Sequence, residues 1–255
     1  KGTFTAKGVA GFNALEDGVH YTKIDVIDSV QYINEYELAT GKKVRTLYTH
    51  KGDEGIGKYT LSKDLSKALI YTSGTPIYRH SATYKVAIVD LQSGASTPVN
   101  ANAVLHASFN PQATQVAYVL DNNLYTYNIA QRATVQITRD GAYNQIINGN
   151  CDWVYEEEFG FTQAYQWSPT GDFIAYYKFD ESAVKEFTMD YYAEGNNYPV
   201  AYTFKYPKAG EANSVVNIYS YNIQAQQSVK MDIGSEKDQY IPRIKWANAN
   251  ELCIY

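Results

Sequence analysis

An all-β fold assembled from repeated antiparallel sheets is what this sequence predicts, on three observations. Tyrosine supplies 25 of the 255 residues, and Tyr, Val, Ile and Thr favour the pleated, half-buried surface of a strand. Apolar and polar residues alternate in short runs bounded by turn residues, and long helical periodicity is absent. One pattern then recurs along the chain: an apolar anchor, a short polar turn and an apolar strand.

Taken in order, Ala14-Leu15-Glu16-Asp17-Gly18 leading to Tyr21 is the weakest copy, and Leu61-Ser62-Lys63-Asp64 leading to Ile70 is a looser one. Tyr84–Leu91 reads as a strand ending in the turn Gln92-Ser93-Gly94. The next copy is Phe109-Asn110-Pro111-Gln112-Ala113, leading into Val116-Ala117-Tyr118. Val116–Leu120, the turn Asp121-Asn122-Asn123 and Leu124–Ile129 read as a β-hairpin. Trp167-Ser168-Pro169-Thr170-Gly171 leads into Phe173–Tyr176, and Asn217–Ile223 is a further strand. Trp246-Ala247-Asn248-Ala249-Asn250 leads into Leu252–Tyr255. In the three firm copies the anchor and the tyrosine are nine positions apart.

The four better anchors, at 61, 109, 167 and 246, are separated by 48, 58 and 79 residues. Repeats near fifty residues, each built from several strands, are the blades of a β-propeller. One blade cannot bury both its faces, so blades stack around an axis. Residues 1–255 are therefore expected to form a partial β-propeller of about five blade repeats. The last copy breaks off inside its strand, which predicts more blades beyond Tyr255. The 79-residue interval is too long for a plain blade. Its aromatic stretch Phe187–Tyr198 predicts a long arm near 183–206, with exposed aromatics suited to a protein contact. The alternative is an ordinary long hairpin packed on its own blade.

Charge and composition exclude several classes. With 22 Lys and Arg against 27 Asp and Glu and no basic run, nucleic acid is excluded as the main partner, because phosphate binding needs clustered cations. No apolar stretch is long enough to span a bilayer. The opening Lys1-Gly2-Thr3-Phe4 has no apolar core behind it, so the start reads as processed or cut. Cys151 and Cys253 form no C-x-x-C pair and are read as buried free thiols, with no metal or cofactor expected.

The chemistry concentrates in Asp152-Trp153-Val154-Tyr155-Glu156-Glu157-Glu158-Phe159. Three adjacent carboxylates repel one another and prefer solvent, so a solvated charge run is the ordinary reading. Here the run is wedged between large aromatics, which predicts a partly buried helical turn beside a cavity. Carboxylates held close there need a cation: a metal ion, an arginine or a substrate ammonium.

Asp152–Glu158 resembles the double-glutamate motif of the dipeptidyl peptidase IV family. The resemblance continues through Trp167–Gly171 and Tyr206-Pro207-Lys208-Ala209-Gly210, and upstream through Arg79-His80-Ser81 followed by Asp90-Leu91. It departs at Phe159-Gly160-Phe161-Thr162, where the loop after the glutamates differs in length and composition. It implies part of an eight-bladed propeller. Glu157 and Glu158 would clamp the free α-amine of a peptide substrate, and Arg79 would donate to the carbonyl of its second-from-scissile residue. The clamp would act as a ruler that releases dipeptides, with Pro or Ala preferred at the second position. The resemblance further implies a following α/β-hydrolase domain, a homodimer formed through the arm, and a periplasmic, secreted or cell-surface protein. The cysteines do not resemble the animal enzymes' disulfide framework, which points to a bacterial member.

No G-x-S-x-G serine elbow occurs, and His20, His50, His80 and His106 all lie in the repeats. The chain alone is therefore expected to hydrolyse nothing. A non-catalytic propeller scaffold would not require paired glutamates, and a carbohydrate-active propeller would need carboxylates on both sides of a sugar, which neighbours on one turn do not offer.

Overall fold

Each anchor-turn-strand repeat is the first hairpin of one sheet. The computed structural model describes residues 12–192 and 194–255, so the opening Lys1–Phe4 lies outside the described residues. The chain divides into two units, Lys1–Thr75 with Tyr84–Ala103, and Pro76–Thr83 with Val104–Tyr255.

The first unit holds two four-stranded antiparallel meanders. One is β1 (Asn13–Ala14), β2 (His20–Ile27), β3 (Val30–Glu37) and β4 (Lys43–Thr49); the other is β5 (Lys58–Leu61), β6 (Lys67–Pro76), β7 (Ala82–Asp90) and β8 (Ser96–Pro98). Ile33 and Leu47 of the first sheet pack with Tyr59, Ala68, Ile70 and Val89 of the second in one buried cluster.

The second unit continues with the meander β9 (Leu105–Phe109), β10 (Gln115–Leu120), β11 (Asn123–Asn128) and β12 (Ala133–Gln136). The β10–β11 turn is tighter than expected. It consists of Asp121 and Asn122 alone, both at positive φ (48° and 57°), and Leu120 pairs with Asn123. Two such residues make the turn whose twist matches antiparallel strands.

The next sheet is built from β13 (Ile146–Asn148), β14 (Tyr165–Trp167), β15 (Phe173–Asp180), β18 (Val215–Asn222) and β19 (Gln227–Lys230). A short helix, α1 (Trp153–Phe159), lies between β13 and β14, and a separate hairpin, β16 (Glu186–Tyr191) with β17 (Val200–Lys205), lies between β15 and β18. β20 (Ile244–Trp246) and β21 (Leu252–Ile254) form a last pair, with Tyr255 exposed just past it. The anchors share one role: Ala14 pairs with Tyr21, Leu61 with Ala68, Phe109 with Val116, Trp167 with Ile174 and Trp246 with Leu252.

Period-two alternation explains how a sheet is buried on both faces. In β15, Ile174 and Tyr176 pack toward Leu105, Ala117, Val119 and Leu124 of the preceding sheet. Ala175, Tyr177 and Phe179 pack with Ile241 and Ile244 on the other side. The tyrosine excess has a cross-strand cause. Tyr21 stacks on Tyr36, Tyr118 on Tyr125 and Tyr176 on Tyr219, with ring centroids 5.3–5.4 Å apart, each pair directly opposite in register. Such pairs contribute roughly 0.2–1 kcal/mol each. The two cysteines are free; Cys151 is buried, but Cys253 is only partly covered, because Leu252 and Ile254 on either side of it face the buried cluster and alternation turns Cys253 to the other face of β21.

Candidate functional site

A broken edge strand makes room for α1. β13 pairs with the end of β15 (Asn148 opposite Lys178) and β14 with its start (Tyr165 opposite Tyr176), so the two are halves of one edge. Between them the chain leaves the sheet and returns through a narrow neck. The Ala164 N–H donates to the Gly149 carbonyl (3.0 Å), the Gly149 N–H to the Tyr177 carbonyl (3.0 Å), and the Tyr177 N–H to the Ala164 carbonyl (2.9 Å). Gly149 has φ +74°, and a Cβ there would lie 3.0 Å from Val119 Cγ2, so the neck requires glycine.

The excursion is stopped and started by its own sequence. Asp152 is the N-cap: its carboxylate accepts the Tyr155 N–H (2.9 Å) and the Ser214 hydroxyl (2.6 Å). Gly160, left-handed at φ 68°, ends the helix. Tyr155 anchors it, with its ring among Phe159, Phe161, Tyr177 and Phe179 and its hydroxyl accepting the Ile241 N–H (2.8 Å).

Consecutive helical residues point about 100° apart, so the three glutamates face three ways. Glu156 is 2% exposed, and its Oε1 accepts the backbone N–H groups of His80 (2.7 Å) and Ser81 (3.0 Å). The Glu157 side chain is 14% exposed and meets Arg79, with Oε2 and a guanidinium nitrogen 3.4 Å apart. Glu158 is exposed and lines an open cleft of about 590 Å³ with Trp153, Tyr206, Lys208 and Tyr240.

Arg79 reaches α1 from residues 76–83, the tip of the β6–β7 hairpin. That tip closes on itself: the Ile77 N–H donates to the Ser81 carbonyl (2.8 Å) and the Tyr78 N–H to the Ser81 hydroxyl (3.3 Å). Tyr78 packs on Phe204 at the base of the β16–β17 hairpin, where Trp153, Phe187 and Tyr206 also gather. The far end of that hairpin exposes Met189, Tyr191, Tyr192, Tyr198 and Val200.

Of the sequence-predicted residues, Arg79 and Glu157 are thus brought into contact, and Glu158 stands one position further along the same helix. Arg79 offsets the charge of Glu157, and Glu158 shares its cleft with Lys208 and Glu211. The Arg79 side chain is 74% exposed, which leaves donors for a carbonyl acceptor. Among the described residues, no group of three or more His, Cys, Asp or Glu is placed to hold a metal ion.

Two further buried acids bear on α1: its N-cap Asp152, and Glu181, which the sequence does not single out. Burial raises the Asp152 carboxyl above the usual range despite its two hydrogen bonds. Glu181, 6% exposed at the end of β15, is pushed up to about 7 by burial, with the Asp152 charge adding and Lys205 opposing. Glu156 could have been found, since three successive helical positions cannot all face one cavity. Glu181 carries no signal in its neighbourhood of sequence.

A sequence model of the family described as the dipeptidyl peptidase IV (DPP IV) N-terminal region matches residues 62–255. Dipeptidyl aminopeptidase B of Saccharomyces cerevisiae is 36% identical over 214 residues, covering 80% of this chain and 26% of that protein. A probable dipeptidyl peptidase 4 of Arthroderma benhamiae is 32% identical over 251 residues, covering 94% of this chain and 31% of that protein. The chain therefore spans between a quarter and a third of these curated relatives. The crystal structure of Porphyromonas gingivalis dipeptidyl peptidase 4 superposes with a TM-score of 0.91 at 37% identity, over 99% of this chain and 37% of that one.

Proposed function

This chain belongs to the dipeptidyl peptidase IV family, and from that premise we propose that it is the substrate-recognition and gating portion of a serine dipeptidyl peptidase that removes Xaa-Pro or Xaa-Ala dipeptides. In this reading Glu157 and Glu158 bind the free N-terminal amine and Arg79 donates to a substrate carbonyl. The sheets form part of an eight-bladed propeller. An α/β-hydrolase domain of the same protein supplies the nucleophile, the β16–β17 arm supports a homodimer, and the protein works in the periplasm, outside the cell or on its surface.

The observation that carries the reading is the contact of Arg79 with Glu157 on the helix that also presents Glu158 to the adjoining cleft. A charge-assisted hydrogen bond contributes roughly 1.5–3 kcal/mol. In the full-length protein, Glu158→Gln should therefore raise KM for a Gly-Pro chromogenic substrate and lower kcat/KM by about 10- to 100-fold. An unchanged kcat/KM would remove the glutamate from amine binding. Residues 1–255 alone are expected to leave that substrate intact, and turnover by them would refute the assignment of the nucleophile to another domain.

A further inference from the structure

The three glutamates of α1 have different surroundings, and the first has been given no part in the reaction. Glu156 is the most buried of the three, yet a single one of its oxygens accepts two consecutive main-chain N–H groups from a segment 75 and 76 residues away. Those amides belong to His80 and Ser81, immediately after Arg79. The Arg79 side chain is itself poorly held: it is mostly exposed, and its ion pair with Glu157 is long at 3.4 Å. Exposed pairs of this kind fix a side chain weakly. Ser81 is 3% exposed and accepts from both Ile77 and Tyr78. The hydrogen bonds to Glu156 therefore grip the point where the tip folds back on itself.

We infer that Glu156 is a positioning residue. It acts through the main chain of His80 and Ser81 to fix Arg79 at the distance from Glu157 and Glu158 that a dipeptide requires. This rests on the reading of Arg79, Glu157 and Glu158 as substrate-binding groups. A carboxylate suits the task, since its oxygens only accept and a buried carboxylate is well satisfied by two N–H donors. Gripping the main chain leaves the guanidinium available to the substrate.

The test is steady-state kinetics of the full-length protein on a Gly-Pro chromogenic substrate, with thermal melting of each variant. Glu156→Ala is expected to lower kcat/KM at least tenfold, mostly through KM. Glu156→Gln keeps an acceptor oxygen of the same reach and should stay within about threefold of the parent. Glu156→Asp keeps the charge but falls short, and should resemble the alanine variant. Should the alanine variant not fold, the glutamine–aspartate contrast carries the test, and equal loss in both would overturn the proposal.

A double-mutant cycle separates positioning from general support of the fold. In an Arg79→Ala background, Glu156→Ala should cost less than about twofold further. The same tenfold loss in both backgrounds would mean that Glu156 acts through something other than Arg79, and the inference would fall. If Glu156→Ala leaves kcat/KM unchanged while Glu158→Gln lowers it, the positioning role fails and the amine clamp stands. If Glu158→Gln and Arg79→Ala are also without effect, the reading of the site fails and takes this inference with it.

Discussion

The sheets β9–β12 and β13–β15/β18–β19 lie side by side, share a buried cluster, and differ in almost everything that bears on chemistry. The first is a plain meander joined by short turns, and its buried polar residues are uncharged Asn and Thr. The second has its edge strand split by α1, and the chain between its paired middle strands β15 and β18 carries the β16–β17 hairpin. Of the four buried carboxylates among the described residues, Asp152, Glu156 and Glu181 belong to this sheet and its excursion. Glu35 lies in the other unit and is paired with Arg45 at 2.6 Å. In the sheet β9–β12 the backbone is satisfied within the ladder and no carboxylate is buried, while in the meander β1–β4 the buried carboxylate Glu35 is offset by its pair with Arg45. Where the strand is interrupted, the Asp152 carboxylate caps the helix that fills the gap and Glu156 accepts from the hairpin tip that the helix meets.

The most severe way to break this contrast is at the neck. Gly149→Val would place a branched side chain against Val119 at a positive φ, at a cost of roughly 3 kcal/mol or more. Thermal melting of the full-length protein should show a large fall, and a wild-type melt would mean that the neck is slack.

Glu181 should move stability the other way. Its folded carboxyl lies at about 7 against an ordinary 4.5, so between those values the folded state holds a proton that the unfolded state has lost. Stability therefore falls as pH rises through this window, and the deficit, up to about 3 kcal/mol, is complete above pH 7. Glu181→Gln should abolish that fall and raise the melting temperature at pH 8. An unaltered pH profile would show that Glu181 titrates normally.

The smallest effect belongs to the plain sheet. Tyr125→Leu, at the half-buried member of the pair, removes the stacking on Tyr118 and should cost about 1 kcal/mol without altering kcat/KM. A kinetic defect there would erase the distinction between a sheet that supports and a sheet that binds.

The same contrast sets what the sequence can reveal. The first hairpin of five sheets was legible, firmly at Phe109, Trp167 and Trp246 and faintly at Ala14 and Leu61, because alternation and turn residues are local signals. The turn at Asp121-Asn122-Asn123 was legible though one residue too long, and the run Glu156-Glu157-Glu158 between large aromatics announced a helical turn. The split edge was not legible, since β13 and β14 are three residues each and their common partner β15 follows both. Nor was the contact between Glu156 and the amides of His80 and Ser81, which depends on a hairpin tip meeting a helix far along the chain. Arg79 was located by resemblance to a family; its own neighbours in sequence distinguish it from no other surface arginine.

The neck at Gly149 and Ala164 has one more consequence. Everything between them leaves and re-enters the sheet through adjacent points, yet Cys151 and Tyr155 fill the same buried cluster as Tyr177, Phe179, Val216 and Ile218 of the sheet. The excursion is therefore a plug as well as a platform. A segment grafted between a retained Gly149 and Ala164 would have to restore that aromatic filling before it could present a different recognition element.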